Sequence, residues 1–112
     1  MSFDRQITQF HEWASTFLMH NAQSQNFVKA IYVAYKVHTL NMGLVPLKQK
    51  TFVTALKKHE KEHIESSRVL FKYIDHPCVI GLSIKSFPSH CPESLLSMTY
   101  DEVDAFADKY KF

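Results

Sequence analysis

Three features of the chain predict an α+β fold. Residues 27–59 hold two segments with apolar residues at helical spacing, FVKAIYVAYKVHTLNMG and VPLKQKTFVTALKKH, separated at Gly43 to Pro46. The next segment, SRVLFKYIDHPCVIGLSIK, is rich in β-branched, aromatic and alternating residues and predicts a two-stranded hairpin. Basic residues concentrate along all of it. Helix, turn, helix and hairpin in that order is the order of a winged helix-turn-helix: three helices, a two-stranded β-hairpin wing and an extra short C-terminal helix. Residues 1–86 form that domain, and residues 87–112 a loop and a short acidic helix that packs on it or docks a partner.

Taken in order, the first helix is expected over residues 4–20, where Ile7, Phe10, Ala14, Phe17 and Leu18 make one apolar face with Trp13 beside it. The polar string NAQSQ is short enough to be a connection, and Ser24 is the expected N-cap of a second helix over residues 27–42. On that helix Phe27, Ala30, Ile31, Ala34, Tyr35 and residues 37–40 mark a buried stripe. Gly43 is its stop, being free to take a left-handed conformation. Because Pro46 holds the residue before it extended, the third helix begins near Leu47 or Lys48. Phe52, Ala55 and Leu56 face inward on it. Two strands, residues 67–74 and 78–85, follow around a turn of Asp75, His76 and Pro77. Beyond the SFPSHCPES loop, Thr99 and Glu102 form a capping box ahead of Val103, Phe106 and Tyr110.

Composition sets the class. With 112 residues, 46% of them hydrophobic, the chain can bury one small core. No apolar run approaches the length of a membrane helix, and the N-terminus lacks the regions of a signal peptide, so a cytoplasmic location is expected. Cys78 and Cys91 are too few for a disulfide framework. The net charge of +2 conceals a division along the chain. Residues 1–26 carry −1, residues 27–86 hold ten Lys or Arg against four acids for +6, and residues 87–112 carry −3. Such asymmetry points to a polyanion for the central module.

The outward residues of the third helix, Lys48, Gln49, Lys50, Thr51, Thr54, Lys57, Lys58 and Lys61, are rich in donors for phosphates and base edges. From the hairpin, Arg68, Lys72, His76 and Lys85 would add phosphate contacts. The expected DNA-binding set is therefore Lys48, Gln49, Lys50, Thr51, Thr54, Lys57, Lys58, Arg68, Lys72 and His76. A solvated helix and a hairpin that merely covers the core are the plain alternatives. Histidine titration between about pH 5 and 7 would raise the positive charge and the affinity for DNA.

These residues resemble a family, the winged helix at the C-terminus of phage, plasmid and poxvirus-type primase-helicases, itself related in pattern to regulatory factor X DNA-binding domains. The resemblance rests on Tyr32 and Tyr35 with Gly43, on Pro46-Leu47 through Lys50, Phe52, Leu56 and Lys57, and on Gly81-Leu82-Ser83-Ile84-Lys85. It covers residues 5–86. Lys48 stands where the family has a capping serine, and the hairpin has fewer arginines than strong DNA binders. The resemblance implies a stand-alone, non-catalytic DNA-binding protein, an accessory or initiator factor in replication of a mobile element, partnered with a polymerase, primase or helicase; the expected state is a monomer or a homodimer. A transcriptional regulator or a protein-interaction module of the same fold is the alternative.

Enzymatic readings find little in the sequence. There is no phosphate-binding Gly-rich loop, and the chain has two glycines in all. Neither cysteine sits in a Cys-His motif. A third reading, a ferritin-like di-iron helical protein, rests on Glu60 and His63, whose ExxH spacing puts a carboxylate and an imidazole on one helical face. Against it, residues 13–59 contain no acid, which leaves Glu12 as the one carboxylate upstream within reach. Zinc held by His59 and His63, or by His76, Cys78, His90 and Cys91, lacks standard ligand spacing. No cofactor is expected.

Overall fold

A computed structural model describes residues 3–63 and 69–109 of the chain. Its elements are α1 (Phe3–Phe17), β1 (Leu18–Phe27), α2 (Val28–Asn41), α3 (Gln49–His63), β2 (Leu70–Ile74), β3 (His76–Ile84), a 3-10 turn at Glu93–Ser97, and α4 (Tyr100–Lys109). Among the described residues the fold is α+β, four α-helices on an antiparallel sheet of three strands in the order β1-β3-β2.

The third strand corrects the expected two-stranded hairpin. NAQSQ is not a connection between helices but part of β1. Leu18, Met19 and His20 pair with Ile84, Ser83 and Leu82, and Gln25, Asn26 and Phe27 pair with Ile80, Val79 and Cys78. Asn21 to Ser24 bulge out opposite Gly81, which has a φ of 94° that side-chain-bearing residues avoid. The bulge carries its own bonds: the Gln23 N–H donates to Asn21 Oδ1 at 3.0 Å, and the buried Asn26 amide donates to the Leu82 carbonyl at 2.8 Å. Helix α1 accordingly stops at Phe17, short of residue 20, because the next backbone groups join the ladder and the Lys85 N–H donates to the Phe17 carbonyl at 2.7 Å. Ser24 does not cap α2, which starts directly after Phe27 with no side-chain cap.

Helix α2 is encased rather than striped. Val28, residues 30–35, Val37 and Thr39 are all buried, because α1, α3, α4 and the sheet surround it. It ends at Gly43 as expected. With φ 72°, Gly43 donates to the Leu40 carbonyl at 2.9 Å and Leu44 to the Thr39 carbonyl at 3.0 Å, closing a Schellman motif. The core centres on Phe10, Trp13, Tyr35 and Phe52, whose rings meet mostly edge-on or tilted at 5.0–6.3 Å between centroids.

The hairpin turns more tightly than expected. Asp75 alone, at φ 60°, makes the reversal, and Pro77 lies in the ladder opposite Tyr73. The central strand tolerates this proline because β1 pairing reaches only Cys78, so no β1 residue faces Pro77. On the C-terminal side, the capping box forms: the Thr99 N–H donates to Glu102 Oε1 at 3.0 Å and the Glu102 N–H to Thr99 Oγ1 at 3.2 Å.

Candidate nucleic-acid interface

The start of α3 is fixed by two tyrosines of α2. Tyr32 donates its hydroxyl proton to the Leu47 carbonyl at 2.7 Å, and the Tyr35 oxygen accepts the Leu47 N–H at 2.9 Å. Both polar groups of this buried residue are thereby satisfied, and α3 begins two residues later. Burial, with Tyr35 nearby, pushes the Tyr32 phenol up to about 12.

From there Phe52, Ala55 and Leu56 enter the core, as their spacing predicts, and turn the opposite face outward. Lys48, Lys50, Thr54, Lys57, Lys58 and Lys61 are exposed, while Gln49 and Thr51 are half-buried. The expected DNA-binding set divides over two sides of the helix. Thr51, Thr54 and Lys58 border a cleft of about 300 Å³ against Phe3, Ile7 and His11 of α1. Gln49 and Lys57 border a cleft of about 370 Å³ against β2, where Lys72 joins them. The Lys57 ammonium stands 5.3 Å from the centre of the Phe71 ring. Among the described residues, Lys50, Lys57 and Lys72 form no ion pair.

His76 is placed differently. Its ring stacks on Tyr100 of α4 at 3.5 Å between centroids, with Phe27 edge-on to both. It therefore ties the hairpin end to the C-terminal helix. Arg68 lies outside the described residues.

The Glu60 and His63 motif was expected to share one face. Glu60 is buried and bonded through Oε2 to His20 Nε2 of β1 at 2.7 Å, while the His63 side chain lies outside the described part. Glu12, exposed, borders a different cleft with Trp13, His38 and Met42. No group of three or more His, Cys, Asp or Glu side chains placed to hold a metal occurs among the described residues. His59 lies against His11 of α1, their Nδ1 atoms 2.8 Å apart and their rings stacked.

Sequence reasoning missed the burial of His59 and Glu60, whose partners lie 48 and 40 positions away. It also missed Tyr73, whose only mark in the sequence is an aromatic beside Lys72 near the turn. No family model matches the chain, and comparison with curated proteins and with solved structures finds no match. Among the described residues, no helix is long and apolar enough to cross a membrane.

Proposed function

We propose that the chain is a winged-helix DNA-binding protein, with α3 as recognition helix and the β2–β3 hairpin as wing. The element order α1-β1-α2-α3-β2-β3, with β3 central, is compatible with that fold. The observation that carries the reading is the outer face of α3. Lys50, Thr54, Lys57, Lys58 and Lys61 stand exposed along it, and Lys57 shares a cleft with Lys72 of the hairpin. Cations on the exposed face of a helix next to a second basic element suit a phosphate backbone on either side of a groove. The protein acts without catalysis, and the resemblance to primase-helicase winged helices supports an accessory or initiator role in replication of a mobile element.

Fluorescence anisotropy of labelled DNA at two salt concentrations tests this reading. Lys50→Ala with Lys57→Ala should weaken binding to every sequence and flatten the slope of log affinity against log salt by roughly 0.9 per lysine on duplex. Unchanged affinity and slope would remove α3 from the interface.

A further inference from the structure

We infer that the cleft between α3 and β2 takes one unpaired DNA base, stacked on Tyr73 with its flanking phosphates on Lys57 and Lys72, so that the protein prefers DNA carrying a single-stranded segment. This rests on the DNA-binding reading and assigns it a strand preference.

Tyr73 carries the argument. It is 76% exposed, the most exposed large apolar side chain among the described residues, and it stands on the edge strand of the sheet. It lines the cleft together with Phe71, whose ring centre lies 5.3 Å from the Lys57 ammonium, and with Lys72. Val53 and Pro77 supply further apolar wall, and Gln49 supplies an amide that both donates and accepts.

That combination selects its ligand. A duplex keeps the faces of its bases stacked inside and offers only their edges and the backbone. A ring left in water, set over an apolar cleft with cations on its rim, is matched by a ligand with a free π-face, polar edges and phosphates on both sides. An unpaired nucleotide has all three. Charge agrees: among the described residues no carboxylate borders the cleft, and neither Lys57 nor Lys72 is ion-paired. Asp75, the nearest acid in sequence, sits at the hairpin turn outside the lining.

The test uses the full chain and four fluorescein-labelled probes: a blunt duplex, the same duplex with a short thymidine tail, oligothymidine, and polyglutamate. Wild-type protein should bind the tailed duplex roughly ten-fold more tightly than the blunt one, the contribution of about one stacked base. Tyr73→Ala should remove that preference and Tyr73→Phe keep it. Because the side chain is solvent-exposed, the fold survives either change, as circular dichroism would verify. Equal affinity for blunt and tailed duplex, or a preference that persists in Tyr73→Ala, overturns the inference while leaving duplex binding by Lys50 intact. Tyr73-dependent binding of polyglutamate without a tail preference overturns it in favour of an acidic peptide. Failure to bind any DNA probe overturns the DNA-binding reading itself, and this inference with it.

Discussion

The phenolic oxygen of Tyr35 accepts the backbone N–H of Leu47 at 2.9 Å, and this one bond links the buried helix α2 to the residue from which α3 departs. Tyr32, one turn earlier, takes the Leu47 carbonyl. Tyr35→Phe leaves a buried N–H without a partner, which costs about 1–3 kcal/mol, and Tyr32→Phe does the same to the carbonyl. Urea unfolding should show lower midpoints with unchanged slopes for both variants. A Tyr35→Phe protein as stable as its parent would mean that packing alone holds the α2–α3 turn.

The same tyrosines make the fold sensitive to alkali. Burial raises both phenols above their ordinary value of 10.0, Tyr32 to about 12. The unfolded chain therefore loses these protons first, so the contribution is complete below pH 10 and disappears as the pH rises from there towards 12. Ultraviolet titration should show Tyr32 ionising well above the ordinary phenol value of 10.0. Thermal midpoints should decline above pH 10, and Tyr32→Phe should reduce that decline. A midpoint independent of pH across the window would contradict the burial.

These contacts also show what the sequence conveys and what it hides. Helices α2 and α3, the Gly43 stop and the Thr99–Glu102 box were legible because each depends on residues within a few positions of one another. Strand β1 was not. Its residues Asn21 to Ser24 bulge from the ladder opposite Gly81, so polarity follows solvent there instead of alternating. The basic face of α3 was readable from period alone, whereas its division between two clefts depends on where α1 and β2 lie. Likewise His76, read as a phosphate contact, gives no sign in the sequence of its stacking on Tyr100.

Acid should loosen the side of the domain where α1 meets α3. His11 and His59 approach through Nδ1 atoms 2.8 Å apart, a bond that requires one ring to be neutral and accept. Asp4 and Lys58 line the same cleft as His11, and Glu60 with His20 lies next along α3. On α2, burial lowers the pKa of His38, near Glu12 of α1. A histidine whose folded pKa is depressed leaves stability intact above its unfolded value of about 6.5 and subtracts from it as the pH falls below. Thermal midpoints should drop between pH 6.5 and 5, less steeply in His38→Gln. On the proposed DNA-binding reading, added positive charge on histidines favours the polyanion, so affinity measured from pH 7.5 to 6, where the fold still holds, should increase. A flat profile at constant salt would rule out any histidine contribution to binding.

Helix α4 packs on α2 and meets the hairpin end where Tyr100 stacks on His76, and three variants separate these contacts. Val103 is fully buried, and Asp104 beside it pairs with Lys29 of α2 while remaining half-exposed. Removing two methyls in Val103→Ala should cost about 2 kcal/mol. Asp104→Asn should cost under about 1 kcal/mol, since water already screens that pair. Tyr100→Ala acts elsewhere, taking away the ring on which His76 stacks and one face of the Lys29 ammonium contact at 5.5 Å. Hydrogen exchange distinguishes the two effects. Val103→Ala should accelerate exchange throughout the core in proportion to lost global stability, whereas Tyr100→Ala should accelerate it chiefly in β2 and the first residues of β3. If Tyr100→Ala leaves those amides as protected as before, the hairpin is held by the pairing of β3 with β1 and by Phe71, and α4 is only a cover over α2.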